Sequence, residues 1–214
     1  MLDLFLLRVC AAIVLVATVV GFLALRSVGF ARPGTTRVVA TNAPARWTEV
    51  AWVGGFSVTL LWPVGAFVVP TLVYHWPAFP DFPGSWIVQI VGLVLVVGGG
   101  LLLSTAARAL GRHLTPAIQV RQGHQLVQSG PYRRVRHPLY TALLTLGLGQ
   151  GLLFLSLPIL ALTVFMAGLA VYRARLEEDL LRSPGVFGAR YDEYVARTGR
   201  FLPRFRSGAR TDKR

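Results

Sequence analysis

Four long stretches of the chain contain no charged residue, and polar residues are concentrated between them. The stretches cover residues 9–25, 50–80, 82–107 and 138–172. A helix needs about 20 residues to cross a hydrocarbon core about 30 Å thick, so the last stretch is too long for one crossing. We expect it to form a helical hairpin that reverses near residues 155–158, where serine and proline interrupt the apolar residues. The pattern therefore predicts five membrane-spanning helices, with rather short arms in the hairpin.

This pattern is typical of an all-α, polytopic integral membrane protein with a carboxyl-terminal helical hairpin. We divide the chain into three amino-terminal spans in residues 1–110, a core in residues 111–206 and a disordered tail in residues 207–214. The polar residues 27–48 are expected to form a loop between the first two spans.

The composition supports a membrane protein and excludes several other classes. Of the 214 residues, 54% are hydrophobic and 14% are charged, and the mean hydropathy is +0.57. A disordered chain, a collagen-like repeat and a small secreted domain do not have this composition. The one cysteine, Cys10, excludes an internal disulfide, a Cys-x-x-Cys redox pair and a cysteine-rich zinc site.

The positions of the basic residues predict the orientation of the chain in the membrane. There are 22 Lys and Arg residues against 9 Asp and Glu. With five spans, every Lys and Arg except Arg8 falls on the same side, after the first, third and fifth spans. Because basic residues are enriched in cytoplasmic loops, we expect the amino terminus outside and the carboxyl terminus in the cytoplasm of a bacterium or archaeon. Their distribution over separate segments argues against a nucleic-acid-binding groove and favours contact with membrane lipids.

Polar side chains suited to chemistry are concentrated in two of these cytoplasmic segments. The first, residues 112–140, contains GHQLVQSGPYRRVRHPLY, in which Gly130 and Pro131 predict a turn and Pro138 suits the first turn of a helix. The second, residues 173–206, contains RARLEEDLL and FGARYDEYVARTGRFLPRF. Its consecutive acidic residues follow the last predicted span by about one helical turn.

Together these motifs resemble the isoprenylcysteine carboxyl methyltransferase family and its phospholipid methyltransferase relatives. The resemblance covers approximately residues 111–205: His-x-Leu-Val, Gly-x-Tyr, Arg-His-Pro-x-Tyr, a hydrophobic hairpin, Glu-Glu-x-x-Leu and Phe-Gly-x-x-Tyr-x-x-Tyr, in this order. It implies a methyltransferase that binds S-adenosylmethionine at cytoplasmic cofactor-binding segments and takes a lipophilic methyl acceptor from the membrane. Any one motif alone would be a weak signal, whereas their order and spacing are typical of the family.

The resemblance also implies which residues form the site. The residues it assigns to the cofactor come from both polar segments: Gln119, His124, Gln125, Leu126, Val127, Tyr132, His137, Pro138, Leu139, Tyr140, Glu177 and Glu178. The candidate catalytic residues are His137, Tyr140, Arg173 and Arg175. A metal ion is not expected, because the chain lacks the HxxxH and HExxH spacings that place two ligands on one helical face.

Two of these assignments have alternatives that the sequence does not decide. The Glu-Glu-x-x-Leu pattern selects Glu177 as the carboxylate for the cofactor, whereas ungapped spacing from Arg-His-Pro selects Glu178. The family's substrate arginine has no single counterpart, because Ala174 stands between Arg173 and Arg175.

The methyl acceptor and the oligomeric state are also undecided. The leading hypothesis is the carboxylate of a prenylated or similar lipophilic molecule, and the alternatives are a lipid amine or a small thiol. A noncatalytic membrane scaffold with the same fold is the alternative from another functional class.

The residue types suit S-adenosylmethionine independently of the resemblance. Its sulfonium, ammonium, carboxylate and adenine favour, respectively, aromatic faces, a carboxylate, a cation or backbone amides, and an apolar slot. The two polar segments contain all of these groups. Methyl transfer needs no nucleophilic side chain, so positioning and exclusion of water are expected to supply most of the acceleration.

Some polar and aromatic residues have structural explanations as well. His137 could cap or anchor a helix, and Glu177 and Glu178 could form ion pairs with arginines one helical turn away. An interfacial aromatic belt is expected from the tryptophans near the span ends, Trp47, Trp52, Trp76 and Trp86.

Overall fold

The computed structural model describes residues 3–27, 37–42, 44, 46–69, 82–114 and 117–204. Its helices are α1 (Leu4–Ser27), α2 (Arg46–Val68), α3 (Ser85–Leu110), α4 (Pro138–Leu153), α5 (Leu157–Arg182) and α6 (Ala189–Arg197). Two short strands, β1 (Val38–Thr41) and β2 (Gln119–Arg121), and two 3-10 turns, Gly111–His113 and Gly130–Arg133, complete the described elements. The predicted disordered tail and Trp76 lie outside the described residues.

Among the residues that the structure describes, three helices, α2, α3 and α5, are long and apolar enough to cross a membrane. α4 is shorter, with 16 residues. The prediction of a mainly helical membrane protein is confirmed, whereas the count of five crossings stays a prediction. The expectation of two short hairpin arms is wrong for the second, because α5 has 26 residues and continues through the polar RARLEEDLL segment.

α3 has one apolar face toward its surroundings and one packed against α4. Its exposed side chains include Trp86, Ile87, Val94 and Leu101. A protein in water rarely exposes so large an apolar surface, whereas lipid tails cover it without cost. This face of α3 therefore contacts the membrane interior.

Glycines let the backbones of α3 and α4 come into close contact. An added Cβ at Gly92 would collide with the backbone nitrogen of Leu153, and one at Gly149 would lie 2.7 Å from that of Val96. Small residues at such positions are a common basis of helix packing in membranes. At the end of α4, the side chain of Gln89 donates a 3.1 Å hydrogen bond to the Leu153 carbonyl. This bond satisfies a carbonyl that the helix terminus leaves without an intrahelical partner.

Replacing Gly92 by alanine is expected to destabilise the protein by about 1 to 3 kcal/mol, because the methyl group forces α3 away from α4. The measurement is thermal unfolding in detergent. Gly98→Ala is the matched control, since a Cβ at Gly98 has nothing within 4 Å and alanine favours a helix. Equal melting temperatures for the two variants would contradict the close packing.

Residues 154–156 separate α4 from α5 and overlap residues 155–158, near which the chain was expected to reverse. The Ser156 hydroxyl caps α5 by accepting a hydrogen bond from the amide of Ile159. The two helices then pack together where Gly151 meets the side chain of Leu160. Serine and proline are common at helix starts, and here they mark the point where the first arm of the hairpin ends and the second begins.

The antiparallel ribbon of β1 and β2 was not predicted. The expectation that residues 27–48 form only a loop is wrong, because β1 lies within them. Val38 pairs with Arg121, and Thr41 pairs with Gln119. The ribbon therefore joins the segment after α1 to the segment after α3.

The ribbon packs on the polar end of α5. Ile118 and Val120 form a buried apolar cluster with Leu180. The side-chain amide of Asn42 donates a 3.0 Å hydrogen bond to the carbonyl of Leu176. These contacts close one side of the space in which the predicted site residues lie.

Candidate active site

The first polar segment contains a tight turn that holds Tyr132. The Gly130–Arg133 turn begins with a positive φ of 56° at Gly130, which glycine adopts without strain. Tyr132 is buried, and its carbonyl accepts a 2.7 Å hydrogen bond from the hydroxyl of Tyr194 in α6. The predicted turn at Gly130 and Pro131 is confirmed.

The chain after α6, residues 198–204, lies along the residues that precede α4, and we refer to it as the strap. The backbone amides of Arg136 and His137 donate hydrogen bonds of 2.9 and 3.0 Å to the carbonyls of Gly199 and Arg200. A Cβ at Gly199 would collide with the backbone of the strap itself. The strap therefore fixes the start of α4, where the Arg-His-Pro motif lies.

The two polar segments enclose a cavity beside the polar ends of α3, α4 and α5. Its wall includes ten of the twelve residues predicted to bind the cofactor: Gln119, His124, Gln125, Leu126, Val127, Tyr132, His137, Leu139, Tyr140 and Glu177. The other two, Pro138 and Glu178, do not line it. Pro138 is the first residue of α4 and is buried in the packing of that helix.

Glu177 is the glutamate on the cavity wall. Its side chain is 37% exposed, and one carboxylate oxygen accepts a 3.1 Å hydrogen bond from the hydroxyl of Tyr140. The same oxygen lies 3.5 Å from Nδ1 of His137. The structure therefore places Glu177, and not Glu178, where a ligand in the cavity would meet a carboxylate.

Glu178 points into the protein and binds arginines. Its side chain is fully buried, and its Oε1 lies 2.9 Å from Nε of Arg136. Arg200 contacts both carboxylate oxygens, at 3.0 and 2.7 Å, and Arg182 lies 3.8 Å away. Ion pairing within one helix therefore explains only the contact with Arg182, because Arg136 and Arg200 come from other segments of the chain.

His137 lies between the two glutamates. Its ring is buried, is stacked on Tyr140 at a centroid distance of 5.4 Å, and has Nε2 3.2 Å from Glu178. Burial alone lowers the pKa of His137, but the hydrogen bonds to Glu177 and Glu178 outweigh it and raise the pKa above its ordinary value. His137 is the N-cap residue of α4, yet its side chain makes no capping bond. The capping explanation therefore does not account for this side chain.

Arg173 and Arg175, the two candidate arginines, lie in different environments. Arg173 is 1% exposed, and the centre of its guanidinium lies 5.2 Å from the ring centroid of Trp52. The Trp52 ring also meets the Tyr140 ring edge-on at 4.9 Å. Arg175 is exposed. The structure therefore brings Arg173 toward the site and places Arg175 on the surface.

Trp52 does not belong to an interfacial belt. It is buried between α2, α4 and α5, whereas Trp47 and Trp86 are exposed as a belt position requires. The expectation for Trp52 is wrong because position relative to a span end does not reveal which face of a helix meets protein.

Part of the cavity wall comes from residues that the sequence analysis did not assign to the site, although Phe187 and Tyr191 belong to its Phe-Gly-x-x-Tyr-x-x-Tyr motif. Ile118 and Val120 line it from the ribbon, and Phe187 and Tyr191 line it from the segment around α6. Two signals were present in the sequence. Ile118-Gln119-Val120-Arg121 alternates apolar and polar residues as a strand does, and Tyr191 has its helical neighbour Tyr194 three residues later.

His113 and His124 pack edge-to-face at the cavity, with ring centroids 4.7 Å apart. Burial, and then the neighbouring His113, lowers the pKa of His124. The cavity thus favours a neutral imidazole at His124. Within the described ranges, no group of three or more His, Cys, Asp and Glu residues is arranged to hold a metal ion.

Comparison with known proteins shows similarity to one family. The model of the isoprenylcysteine carboxyl methyltransferase family matches residues 92–183. The chain is 34% identical over 128 residues to a probable protein-S-isoprenylcysteine O-methyltransferase of Oryza sativa subsp. indica, covering 58% of this chain and 66% of that protein. It is 31% identical to protein-S-isoprenylcysteine O-methyltransferase B of Arabidopsis thaliana, and the match covers 58% of this chain and 64% of that protein. It is 29% identical to the Homo sapiens protein-S-isoprenylcysteine O-methyltransferase, and the match covers 64% of this chain and 47% of that protein.

A solved structure is also similar, that of the eukaryotic intramembrane Ras methyltransferase. Its TM-score is 0.49 at 25% identity, covering 73% of this chain and 51% of that one. The chain spans about two thirds of the length of the plant relatives and about half of the human relative. Every predicted site residue lies inside the family match, whereas the strap lies beyond it.

Proposed function

We propose that this chain belongs to the isoprenylcysteine carboxyl methyltransferase family and transfers a methyl group from S-adenosylmethionine to a lipophilic acceptor in the membrane. The observation that carries the proposal is the cavity at the polar ends of the apolar helices, whose wall combines Glu177 with buried tyrosines and apolar side chains. Such a wall offers partners for a ligand that is cationic at one end and aromatic at the other.

The residues on the wall fit each chemical part of S-adenosylmethionine. Glu177 supplies a carboxylate for its ammonium, and Arg136 supplies a cation for its carboxylate. The faces of Tyr132 and Tyr140 suit a sulfonium. Apolar side chains of β2 and the following loop suit the adenine. The fit is one of residue chemistry, and it supports the cofactor that the family implies.

When bound, S-adenosylmethionine supplies an electrophilic methyl group that an acceptor oxygen attacks in line, with a neutral thioether leaving. The chain's own residues then have to orient the reactants and exclude water. Tyr140 is held by Glu177, by the stacked ring of His137 and by the edge of Trp52. Rigid support of this kind is what a transfer without a nucleophilic side chain requires.

Arg173 supports a carboxylate as the acceptor. Its buried guanidinium lies 5.2 Å from the ring centroid of Trp52, and the Trp52 ring contacts Tyr140 on the cavity wall. A buried guanidinium attracts a carboxylate and repels an ammonium. This charge favours a prenylated or similar lipophilic carboxylate over a lipid amine.

The same arrangement implies an orientation in the membrane. Exposed arginines follow the apolar parts of α3 and α5 in the chain, among them Arg108, Arg133, Arg190 and Arg197. Because basic residues are enriched on the cytoplasmic side, the cavity and the carboxyl-terminal strap face the cytoplasm, where S-adenosylmethionine is made. A bacterial or archaeal membrane remains part of the proposal.

The test is methylation by the purified protein in nanodiscs with methyl-labelled S-adenosylmethionine. We expect label on N-acetyl-S-farnesylcysteine that alkali releases as methanol, because a methyl ester is hydrolysed by base. The farnesylcysteine with its carboxylate already esterified is the matched control and should take no label.

Two other results would overturn parts of the proposal. Alkali-stable label on lipids or thiols, with none on farnesylcysteine, would assign the acceptor to the amine or thiol class. Absence of S-adenosylmethionine binding in equilibrium dialysis would assign the chain to the scaffold class.

A further inference from the structure

The strap makes its strongest side-chain contact with a residue that no ligand in the cavity can reach. Arg200 binds the fully buried Glu178 through both carboxylate oxygens, Nε to Oε1 at 3.0 Å and Nη2 to Oε2 at 2.7 Å. A two-point contact between a guanidinium and a carboxylate fixes orientation as well as charge. The side chain of Glu178 is therefore held in one position by a segment outside the family match.

Glu178 passes this constraint to the cavity through His137. Its Oε1 lies 3.2 Å from Nε2 of His137, and Nδ1 of the same ring lies 3.5 Å from Glu177 on the cavity wall. The ring therefore bridges the two glutamates with its two nitrogens. A chain of contacts runs from Arg200 through Glu178 and His137 to Glu177.

We propose that Arg200 is a positioning residue: by occupying both oxygens of Glu178, it fixes the ring of His137 and limits the negative charge that this ring meets. The backbone supports the same role, because the amide of His137 donates to the carbonyl of Arg200. One residue of the strap thus contacts the histidine's backbone and its carboxylate partner.

The charges around His137 give the expected direction of the effect. Glu177 and Glu178 face the ring and favour its protonated form, whereas Arg136 and Arg200, with Arg182 further away, neutralise Glu178. The uncharged ring of Tyr140 covers one face of the imidazole. Removal of the Arg200 charge exposes His137 to more of the charge of Glu178, so His137 should hold its proton to a higher pH.

The first test measures this proton directly and needs no cofactor. The histidine ring signals of the protein in detergent are followed by NMR from pH 5 to 9, and His137 is identified by its absence in His137→Gln. In Arg200→Gln we expect the titration midpoint of His137 to rise by about one pH unit. Arg200→Lys keeps the charge but loses the two-point contact, so it should give a smaller rise.

The matched control is Arg197→Gln. Arg197 is an exposed arginine whose contacts, to the Glu193 carbonyl and Gln128, do not reach Glu178. It should leave the midpoint of His137 unchanged. An unchanged or lowered midpoint in both Arg200 variants would overturn the proposal, since a strap with a merely structural role would release the ring toward its ordinary pKa.

The second test rests on the proposed function. A protonated His137 pairs with Glu177 and competes with a cationic ligand for that carboxylate. Binding of S-adenosylmethionine should therefore strengthen as the pH rises through the titration midpoint of His137. In Arg200→Gln this increase in affinity should occur at a higher pH, displaced by the same amount as the NMR midpoint. An unshifted binding profile beside a shifted NMR midpoint would overturn the link to the cofactor. Failure of the wild-type protein to bind at any pH would overturn the proposed function and leave the NMR result as the test of Arg200.

Discussion

Glu178→Gln is expected to lower the free energy of unfolding by about 3 to 5 kcal/mol, the usual cost of removing one partner from a buried ion pair. Glutamine keeps the size of the side chain and removes its charge. The guanidinium of Arg136, which is 9% exposed, then loses its ion pair with Glu178. Arg200 also loses the carboxylate to which it donates two hydrogen bonds.

The measurement is thermal or chemical unfolding in detergent, with Asp179→Asn as the matched control. Asp179 is the next residue of α5, and its 66% exposed side chain lies 3.7 Å from Arg182. An exposed pair of this kind contributes about 0 to 1 kcal/mol. If both variants unfolded at the same temperature, the buried arginine cluster would not stabilise the fold.

The sequence could not separate Glu177 from Glu178, and the reason is geometric. The two residues are adjacent on one helix and differ by about 100° in direction. Their environments depend on Arg136 and Arg200, which are 42 and 22 residues from Glu178 in the chain. The motif shows that two glutamates are adjacent in the sequence, but the tertiary contacts of each determine which one faces the cavity.

The parts of the fold that the sequence did predict are those with long, uniform patterns. Apolar stretches predicted the long helices, and the motif order selected ten of the 22 residues on the cavity wall. The ribbon was missed because strands of three and four residues carry little pattern, and their pairing joins positions about 80 residues apart. Arg173 and Arg175 could not be distinguished because the burial of one face of a helix depends on the neighbouring helix.

Glu177→Gln is expected to weaken S-adenosylmethionine binding about 10- to 100-fold, corresponding to the roughly 1.5 to 3 kcal/mol of a hydrogen bond to a charged group. The melting temperature should change little, because the side chain is 37% exposed and an exposed charge contributes little to stability. The two neighbouring glutamates therefore differ in what their replacement changes. Replacing Glu178 lowers the stability of the protein, whereas replacing Glu177 lowers its affinity for S-adenosylmethionine.

Equilibrium dialysis with labelled S-adenosylmethionine gives the affinity, and unfolding in detergent gives the stability of the same preparations. Glu193→Gln serves as the matched control, because Glu193 is an exposed acid of α6 that does not line the cavity. It removes the same charge from the protein and should leave the affinity unchanged. A loss of affinity in both variants would show only a general electrostatic attraction of the cationic cofactor. Wild-type affinity in Glu177→Gln would exclude this carboxylate as the partner of the ammonium, and the cofactor site would then have to be sought at a different acid.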